Sequence, residues 1–290
     1  MIVVTGASGN VGRPLVDELL RRGVQVRAVS RHPAEAGLPA EVDVRAGDPT
    51  APEASWFEGA SAVWVNPRAV GPAVGELLAL ARNAGVIRAV ALSATNVDED
   101  PARQPSRFRG DLNTETERAV MGSGLAWVSL RPNMFCSNFA GLWAGQLRRG
   151  DVVRGPYGTA QLAPIDERDI AAVGARALLD EDLLGEQLVL TGPASSTQTG
   201  LLSDLGRALH RPLRYAEVPV EVARRGMLDQ GFPAGFVDGY LELQREWTVA
   251  PALTTSTVER VLGRPAISFS RWAADHADAF GSARIETLAG

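Results

Sequence analysis

Short runs of consecutive apolar residues alternate, through the first half of the chain, with stretches whose apolar positions recur every three to four residues. This alternation predicts strand–helix–strand units and therefore a parallel sheet. The predicted strands are residues 2–4, 24–29, 42–45, 62–65, 87–92 and 126–130. The predicted helices between them include residues 11–22, 70–83 and 112–121.

The strongest motif is a glycine-rich turn between the first predicted strand and the first predicted helix. Glycines spaced by three would supply a tight turn, a close backbone approach to a ligand and helix-on-strand packing. A helix that begins here points free amides and its positive dipole end at an anion. The order strand, loop, helix favours a dinucleotide pyrophosphate site over a turn without a ligand. The loop residues assigned to this cofactor are Gly6, Ser8, Gly9, Asn10, Val11 and Gly12.

The end of the second predicted strand indicates which dinucleotide is bound. An acidic residue there would bond a ribose 2′-hydroxyl, but the chain offers Arg31, whose planar fork suits a 2′-phosphate. We therefore predict NADPH as the cofactor; the alternative is that Arg31 is a solvated surface residue. Asp48, after the third strand, is expected to border the adenine. Asn66 and Pro67, after the fourth, are expected on the nicotinamide side.

Composition excludes several classes of partner. A net charge of −5 and a pI near 5.4 give no basic field for nucleic acid. Cys136 is the only cysteine, so no disulfide forms within the chain, and the histidines lack ligand spacing, so we predict no metal. We see neither a signal-peptide pattern nor an apolar run long enough to span a membrane, and expect a cytoplasmic protein.

Beyond residue 132 the pattern changes to longer helices with occasional strands, separated by Pro and Gly turns. We therefore predict an α/β fold with two parts. Residues 1–155 form a Rossmann-type doubly wound parallel sheet that binds the dinucleotide. Residues 156–290 form a smaller, mostly helical C-terminal substrate lobe, partly interleaved with the edge of the sheet.

Several further segments carry a family resemblance that extends close to full length. Besides the glycine loop they are residues 92–93, 124–127, 130–132, 164–171 and 190–193. With these motifs the sequence resembles the atypical short-chain dehydrogenase/reductase group, particularly NmrA-like NAD(P)H-binding proteins. The resemblance implies a sheet of about six or seven parallel strands, with the substrate cleft outside their carboxyl ends.

The chain departs from this group at its catalytic motif. Standard members carry Tyr-x-x-x-Lys on the helix after strand five, with the tyrosine as proton donor and the lysine lowering its pKa. Counting back from Glu117 places Arg109 at the tyrosine position and Asn113 at the lysine position. All 29 basic residues are arginine, so no lysine replaces it. We expect Arg109 to face solvent, and Asn113 either to bond a ribose hydroxyl or to be a solvated helix residue.

The resemblance also implies a hydroxyl at the end of strand five that borders the cofactor and polarises a substrate carbonyl. Ser93 is the first choice and Thr95 the second, because the alignment allows a slip of two residues; either is equally an ordinary turn residue. Asp166 and Asp169 invite an acid–base interpretation, but we assign Asp169 to the N-cap or the first turn of a helix that its carboxylate stabilises.

The substrate pocket is predicted from residues after strand six and at the entry to the second lobe. Its candidates are Asn133, Met134, Phe135, Phe139 and Tyr157. The Met and Phe residues are equally suited to a core, and structural packing is the favoured interpretation of Tyr157.

Three functions fit these observations. The first is an NADPH-dependent reductase of a quinone or phenol-conjugated ketone, an aromatic small molecule that itself holds the negative charge until water protonates it. The second is a catalytically inactive NADP(H)-binding redox sensor. The third, ranked last because it relies on the missing tyrosine and lysine, is a nucleotide-sugar epimerase or dehydratase.

Overall fold

Strands and helices alternate along the computed structural model, which describes residues 1–281. The strands are β1 Ile2–Val4, β2 Val26–Ser30, β3 Asp43–Ala46, β4 Ala62–Val65, β5 Arg88–Leu92, β6 Ala126–Pro132, β7 Val152–Gly155, β8 Gln161–Leu162, β9 Gln187–Leu190, β10 Ser196–Thr197 and β11 Arg214–Glu217. The α-helices are α1 Gly12–Arg21, α2 Pro67–Val70, α3 Val74–Asn83, α4 Asn113–Met121, α5 Asn138–Leu147, α6 Glu167–Leu179, α7 Gln198–Leu209, α8 Val220–Asp229, α9 Ala234–Glu246, α10 Thr257–Leu262 and α11 Phe269–Asp275.

Seven strands form one sheet in the order β3-β2-β1-β4-β5-β6-β9, and each neighbouring pair is parallel. The predicted doubly wound parallel sheet is therefore confirmed. The strand order reverses between β1 and β4. In open sheets of this kind ligands bind outside the carboxyl ends of the strands at such a reversal. The loops that follow β1 and β4 are thus neighbours at the expected site.

The two faces of the sheet are both covered at its centre, which explains why β1 and β4 are continuously apolar. Because side chains alternate along a strand, β4 contributes to both faces. Val63 and Val65 pack in one cluster with Val74 of α3. Trp64 points the other way, toward α6, where a Cβ on Gly174 would lie 2.7 Å from its ring. Gly174 therefore allows α6 to lie directly on the sheet.

One predicted helix is wrong in its first turn. The helix expected over residues 70–83 is interrupted by Gly71, whose φ of +52° lies in the left-handed region. As a result α2 ends at Val70, a 3-10 turn follows, and α3 begins only at Val74. The start of α2 is earlier than predicted, because Asn66 caps it and Pro67 occupies its first position.

The chain divides into two compact units that exchange segments. The first unit contains residues 1–133, 167–190 and 255–265, and the second contains 134–166, 191–254 and the described residues from 266 onward. The first crossing comes before the predicted residue 155, because the chain leaves the sheet after β6 and β7 pairs with β11 instead. The return of β9 to the sheet edge accounts for the interleaving. Residues 282–290 of the predicted lobe lie outside the described residues.

The second unit is mostly helical. Its helices are α5, α7, α8, α9 and α11, and its strands form two small pairs, β8 with β10 and β7 with β11. Aromatic residues fill its core: the ring centroids of Phe139 and Trp143 are 4.6 Å apart, and those of Phe139 and Phe269 are 5.1 Å apart. This unit therefore has a hydrophobic core of its own.

Candidate functional site

The glycine loop after β1 is a tight turn that only glycines permit. Gly6 has a φ of +66°. A Cβ on Gly12 would lie 2.1 Å from the Gly6 carbonyl oxygen, so any side chain at position 12 would displace the loop. The Gly9 amide donates to the same carbonyl at 3.0 Å. Gly6 thus has the turn role that the sequence predicts, whereas Gly12 leaves room for the loop backbone at Gly6 and Ala7, a different contact from the predicted helix-on-strand packing.

A threonine joins this loop to the neighbouring strand. The Thr5 hydroxyl donates to the Trp64 carbonyl at 2.9 Å and accepts from the Asn66 amide at 2.8 Å. A Cβ on Gly6 would meet the Asn66 side chain at 2.8 Å, so the two loops are in direct contact. Asn66 also caps α2, since its Oδ1 accepts from the Arg68 amide at 3.1 Å. The loops on either side of the strand reversal are therefore fixed to one another.

The N-terminus of α1 has the features of an anion site. Val11 precedes the helix and provides no side-chain cap, and the first turn contains no acidic residue. Ser8, Gly9 and Asn10 are exposed in front of it. Uncapped helical amides carry partial positive charge and bind phosphate. The narrow turn and the helix terminus together fit the pyrophosphate of a dinucleotide.

Arg31 and Asp48 lie near each other at the ends of β2 and β3. Arg31 is exposed. Asp48 accepts from the Thr50 amide at 3.0 Å and from its hydroxyl at 2.8 Å. These hydrogen bonds, with a smaller contribution from the Arg31 charge, hold the pKa of Asp48 below its ordinary value. Two residues that the sequence assigns to the adenosine side of the cofactor are thus brought together.

The residues at the tyrosine and lysine positions do not share a helix. Arg109 ends a 3-10 helix and is exposed, and Gly110, with a φ of +94°, separates it from α4. Asn113 is the first residue of α4 and only 5% exposed. Its Nδ2 donates to the Ser106 hydroxyl at 3.2 Å. The expectation that Arg109 faces solvent is correct, and the alternative of a solvated Asn113 is wrong.

Ser93 and Thr95 follow β5 at the edge where ligands bind in such sheets. The Ser93 amide donates to the Leu130 carbonyl at 2.7 Å, and the Thr95 amide donates to the Pro132 carbonyl at 3.1 Å. Ser93 is buried, and its hydroxyl forms no hydrogen bond of normal geometry although it lies close to Glu117. Thr95 is half-buried. Both backbones are fixed by β6, and the catalytic role of either hydroxyl stays a prediction.

Glu117, for which the sequence predicts no role, is the centre of a buried polar network. Its carboxylate accepts from Arg131, from the Ser129 hydroxyl and, at 3.2 Å, from Gln187 Nε2. Burial raises the pKa of Glu117, but the hydrogen bonds from Arg131 and Ser129 lower it further, and the pKa lies below its ordinary value. The network joins α4 to β6 and β9. Because its contacts are long-range, the sequence pattern gives no signal for it.

A second residue missed by the sequence is Arg13, directly after the last glycine of the loop. Its guanidinium donates to the Ser8 carbonyl at 3.0 Å and to the Gly37 carbonyl at 2.7 Å. The signal for it, a cation in the first turn of a phosphate-binding helix, is present in the sequence but does not reveal these partners.

The predicted pocket residues fall in both units. Asn133 ends the first stretch of the first unit, where its amide donates to the Leu190 carbonyl at 2.8 Å. Met134 and Phe135 are half-buried at the start of the second unit. Phe139 is fully buried between Trp143 and Phe269, so it packs the core. Tyr157 is half-buried and has a φ of +54°, which is rare for a bulky residue.

Asp169 is a structural residue. It lies in the first turn of α6, is fully buried, and forms an ion pair with Arg264 at 2.7 Å. Its assignment to the helix start is confirmed. Within residues 1–281 no group of three or more His, Cys, Asp or Glu is placed to hold a metal ion, and no helix combines the length and apolarity needed to cross a membrane.

Comparison with known proteins decides the family. The profile of a family described as NAD(P)H-binding matches residues 6–181, which include the glycine loop, Arg31 and Glu117. The chain belongs to this family. The cofactor is therefore a nicotinamide dinucleotide, and the resemblance to NmrA-like proteins of the atypical short-chain dehydrogenase/reductase group is confirmed.

Two relatives share more than 30% of their residues with this family member. A (4-alkanoyl-5-oxo-2,5-dihydrofuran-3-yl)methyl phosphate reductase from Streptomyces griseus is 36% identical, over 97% of this chain and 99% of its own. An NAD(P)H azoreductase from Xenophilus azovorans is 31% identical, over 98% and 100%. Both are reductases, so an NAD(P)H-dependent oxidoreductase acting on a small molecule is confirmed, in preference to an inactive sensor.

A solved structure shares the fold. The NADPH-dependent quinone oxidoreductase of Escherichia coli superposes with a TM-score of 0.77 at 22% identity, and the match covers 95% of this chain and 99% of that one. At this identity the likeness supports the architecture alone, including the helical second unit.

Proposed function

We propose that this protein uses NADPH to reduce quinones, phenol-conjugated ketones and related conjugated acceptors, whose own π system holds the charge that hydride addition leaves behind. The observation that carries the proposal is the state of the proton-donor positions. Arg109 is exposed and lies off the helix, Asn113 is buried against Ser106, and the chain contains no lysine. Neither Arg nor Asn is a proton donor at neutral pH.

The bound cofactor supplies a hydride, and the residues of this chain hold it in place. The turn from Gly6 to Gly12 and the amides of α1 bind the pyrophosphate. Arg31 binds the 2′-phosphate, which is the reason for the preference for NADPH over NADH. Thr5 and Asn66 fix the loops on both sides of the strand reversal. Asn113 and Ser93 border the nicotinamide end.

The reaction balances without an acid from the protein. Hydride carries two electrons to an electron-poor atom of the acceptor and breaks one π bond. In a quinone or an enone the electron pair of that bond moves onto an oxygen, as a phenolate or enolate. In a hydroxyphenyl ketone it moves onto the carbonyl oxygen, which takes the proton of the substrate's own phenol and leaves a phenolate. Water later protonates the anion. The overall consumption is one cofactor hydride and one solvent proton. An isolated aliphatic ketone would instead produce a localised alkoxide, which needs a proton donor in the transition state.

The relatives support this class of acceptor. One is named for azo compounds and another for a dihydrofuranone phosphate. In the second compound an alkanoyl group and a ring carbonyl are attached to the same ring alkene. Hydride addition to that alkene would leave an anion shared by two carbonyl groups. Both names therefore describe acceptors that stabilise added charge themselves.

Anaerobic NADPH oxidation with matched pairs of acceptors tests the proposal. The pairs are a quinone with cyclohexanone, a hydroxyphenyl ketone with its methyl ether, and an acylated butenolide with the same lactone lacking the acyl group. We expect the first member of each pair to exceed the second at least about a hundredfold in kcat/KM. Equal values within the pairs would contradict the substrate-assisted mechanism. Tight binding of NADPH with no oxidation by any of these acceptors would contradict the proposed class of substrate.

A further inference from the structure

Arg13 makes a bridge between two loops of the first unit. Its Nε donates to the Ser8 carbonyl at 3.0 Å, its Nη1 to the Gly37 carbonyl at 2.7 Å, and its Nη2 to the Ala36 carbonyl at 2.8 Å. Ser8 belongs to the glycine loop after β1. Ala36 and Gly37 belong to the segment that follows β2. Each nitrogen of one guanidinium thus binds backbone, and the planar fork fixes the spacing between the two loops.

The fit at the far end of this bridge is close. A Cβ on Gly37 would lie 3.3 Å from Arg13 Nη1 and 3.4 Å from Nη2. Gly37 also has a φ of +58°, a conformation in which a side chain is strained. Two independent constraints therefore favour glycine at position 37. A side chain at position 37, or a different backbone conformation there, would disturb the contact with Arg13.

The bridged segment is the one that carries Arg31. Short-range hydrogen bonds connect it without a break: the His32 amide donates to Ser30 Oγ at 3.1 Å, the Glu35 amide to the His32 carbonyl at 3.1 Å, and the Ala36 amide to the Pro33 carbonyl at 3.2 Å. A displacement at Ala36 is therefore transmitted back toward Arg31. All three bonds of Arg13 go to neutral carbonyls, so they orient the guanidinium without cancelling its charge.

We propose that Arg13 is a positioning residue that sets the distance between the pyrophosphate loop and Arg31, so that the pyrophosphate and the 2′-phosphate of NADPH are bound cooperatively. The inference rests on the proposed role of Arg31 in NADPH preference. It predicts that Arg13 contributes to the choice between NADPH and NADH although it need not touch the 2′-phosphate. Preorganisation of this kind raises affinity by lowering the ordering cost of binding.

Titration of the whole chain with NADPH and with NADH, monitored by calorimetry, tests the proposal without a substrate. The variants are Arg13→Met, Arg13→Lys, Arg31→Met and the double variant Arg13→Met/Arg31→Met. Methionine removes all three bonds and keeps the apolar stem. Lysine keeps the charge but cannot bond three carbonyls in one plane. We expect both single changes at Arg13 to weaken NADPH about tenfold more than NADH.

The double variant distinguishes positioning from a general loss of binding. If Arg13 acts through Arg31, then Arg13→Met in the Arg31→Met background should weaken NADPH no more than it weakens NADH. Gly37→Ala, which disturbs the same contact from the opposite side, should lower the NADPH/NADH affinity ratio in the same direction. It also serves if the Arg13 variants fold poorly, which thermal unfolding would reveal.

The outcomes separate this inference from the proposed function. Equal weakening of NADPH and NADH by Arg13→Met, or wild-type discrimination in Arg13→Lys, would overturn the positioning role while leaving the preference for NADPH intact. Equal affinity of the wild type for both cofactors would overturn the preference, and the positioning role with it.

Discussion

Two turns of this protein contain glycines, but the residue with a positive φ is a glycine in only one of them. In the loop after β1 the positive φ falls on Gly6, where it costs little. In the loop after β7 it falls on Tyr157, while Gly155 and Gly158 adopt ordinary backbone and leave room for Tyr215. A Cβ on Gly155 would lie 2.3 Å from the Tyr215 hydroxyl. The first turn is relaxed and the second is strained.

The difference indicates what each turn is for. The loop after β1 presents backbone amides, so glycines are sufficient and no side chain need be held. The Tyr157 carbonyl is instead held by the Ala160 amide and by Gln198 Nε2, both at 2.9 Å, which maintains a bulky side chain in an unfavourable conformation. Strain of this kind accumulates at functional positions. The strained backbone therefore makes Tyr157 the residue of the second unit to test for a role in activity.

The largest effect is expected from Gly12→Ala, which removes the room that makes the first turn possible. Its Cβ would lie 2.1 Å from the Gly6 carbonyl oxygen. We expect a loss of about 4 kcal/mol in the free energy of unfolding, together with loss of measurable NADPH binding, by thermal unfolding and titration. The control is Gly75→Ala in α3, where a Cβ meets nothing within 4 Å. It should keep full affinity and gain up to about 1 kcal/mol. An unchanged NADPH affinity in Gly12→Ala would contradict the role of the turn.

The next largest effect is expected from Arg131→Met, which tests whether the polar network around Glu117 stabilises the first unit. It leaves the buried Glu117 carboxylate without its cation, at a cost of about 3 kcal/mol in the free energy of unfolding. The control is Arg118→Met, on the exposed side of α4, the helix that carries Glu117. It should lower the free energy of unfolding by less than about 0.5 kcal/mol. Equal effects in denaturant unfolding would show that the network is unimportant.

The pH dependence of the same network follows from its pKa. The pKa of Glu117 in the folded protein is below its ordinary value of 4.5. Its contribution to stability is therefore fully present above pH 4.5 and is lost as the pH falls through the lower folded value. Urea unfolding between pH 3 and 6 should show a steeper acid loss for the wild type than for Glu117→Gln. Parallel profiles would exclude this contribution.

A smaller effect is expected at Arg31, beside the first turn. Arg31→Glu should weaken NADPH about thirtyfold, or about 2 kcal/mol, because it places a carboxylate at the proposed site of the 2′-phosphate. NADH affinity should change less than about threefold. The matched charge change Arg118→Glu should alter neither. Equal losses for both cofactors, measured by fluorescence titration, would refute the cofactor assignment.

The smallest effect on stability is expected at Tyr157, and it separates strain from function. Asn tolerates a positive φ and Val does not, although the two are similar in size. Tyr157→Asn should therefore unfold with about 1 kcal/mol more stability than Tyr157→Val. Both should lower kcat/KM for the acceptor and leave NADPH affinity unchanged. Wild-type kcat/KM in both variants would show that the strained tyrosine has no role with substrate.

The parts of the molecule that local pattern determines were predictable from sequence. Parallel strands buried on both faces appear as apolar runs, and the glycine loop depends on neighbouring residues. Both features can therefore be predicted from the local sequence. The break at Gly71 was missed, because a single glycine is tolerated within helical periodicity. The separation of Arg109 from Asn113 agrees with the predicted helix of residues 112–121, which begins after Gly110.

The rest depends on contacts between distant segments. The bonds of Arg13 to Ala36 and Gly37, and those of Glu117 to Arg131 and Gln187, join residues that no period relates. The Tyr157 carbonyl likewise accepts from Gln198 Nε2, which belongs to the separate helix α7. Such features follow from the assembled fold, and residue type alone does not predict them.

The central claim is that the acceptor, and not a residue of this chain, manages the charge and the proton. Steady-state reduction of one quinone by NADPH or by its 4-deuterated form, in H2O and in D2O between pH 6 and 9, tests it most directly. We expect a primary isotope effect from the cofactor, a flat pH profile of kcat/KM and a solvent isotope effect below about 1.2. A bell-shaped profile, or a solvent isotope effect of about 2 or more, would contradict it by revealing a proton donor in the protein.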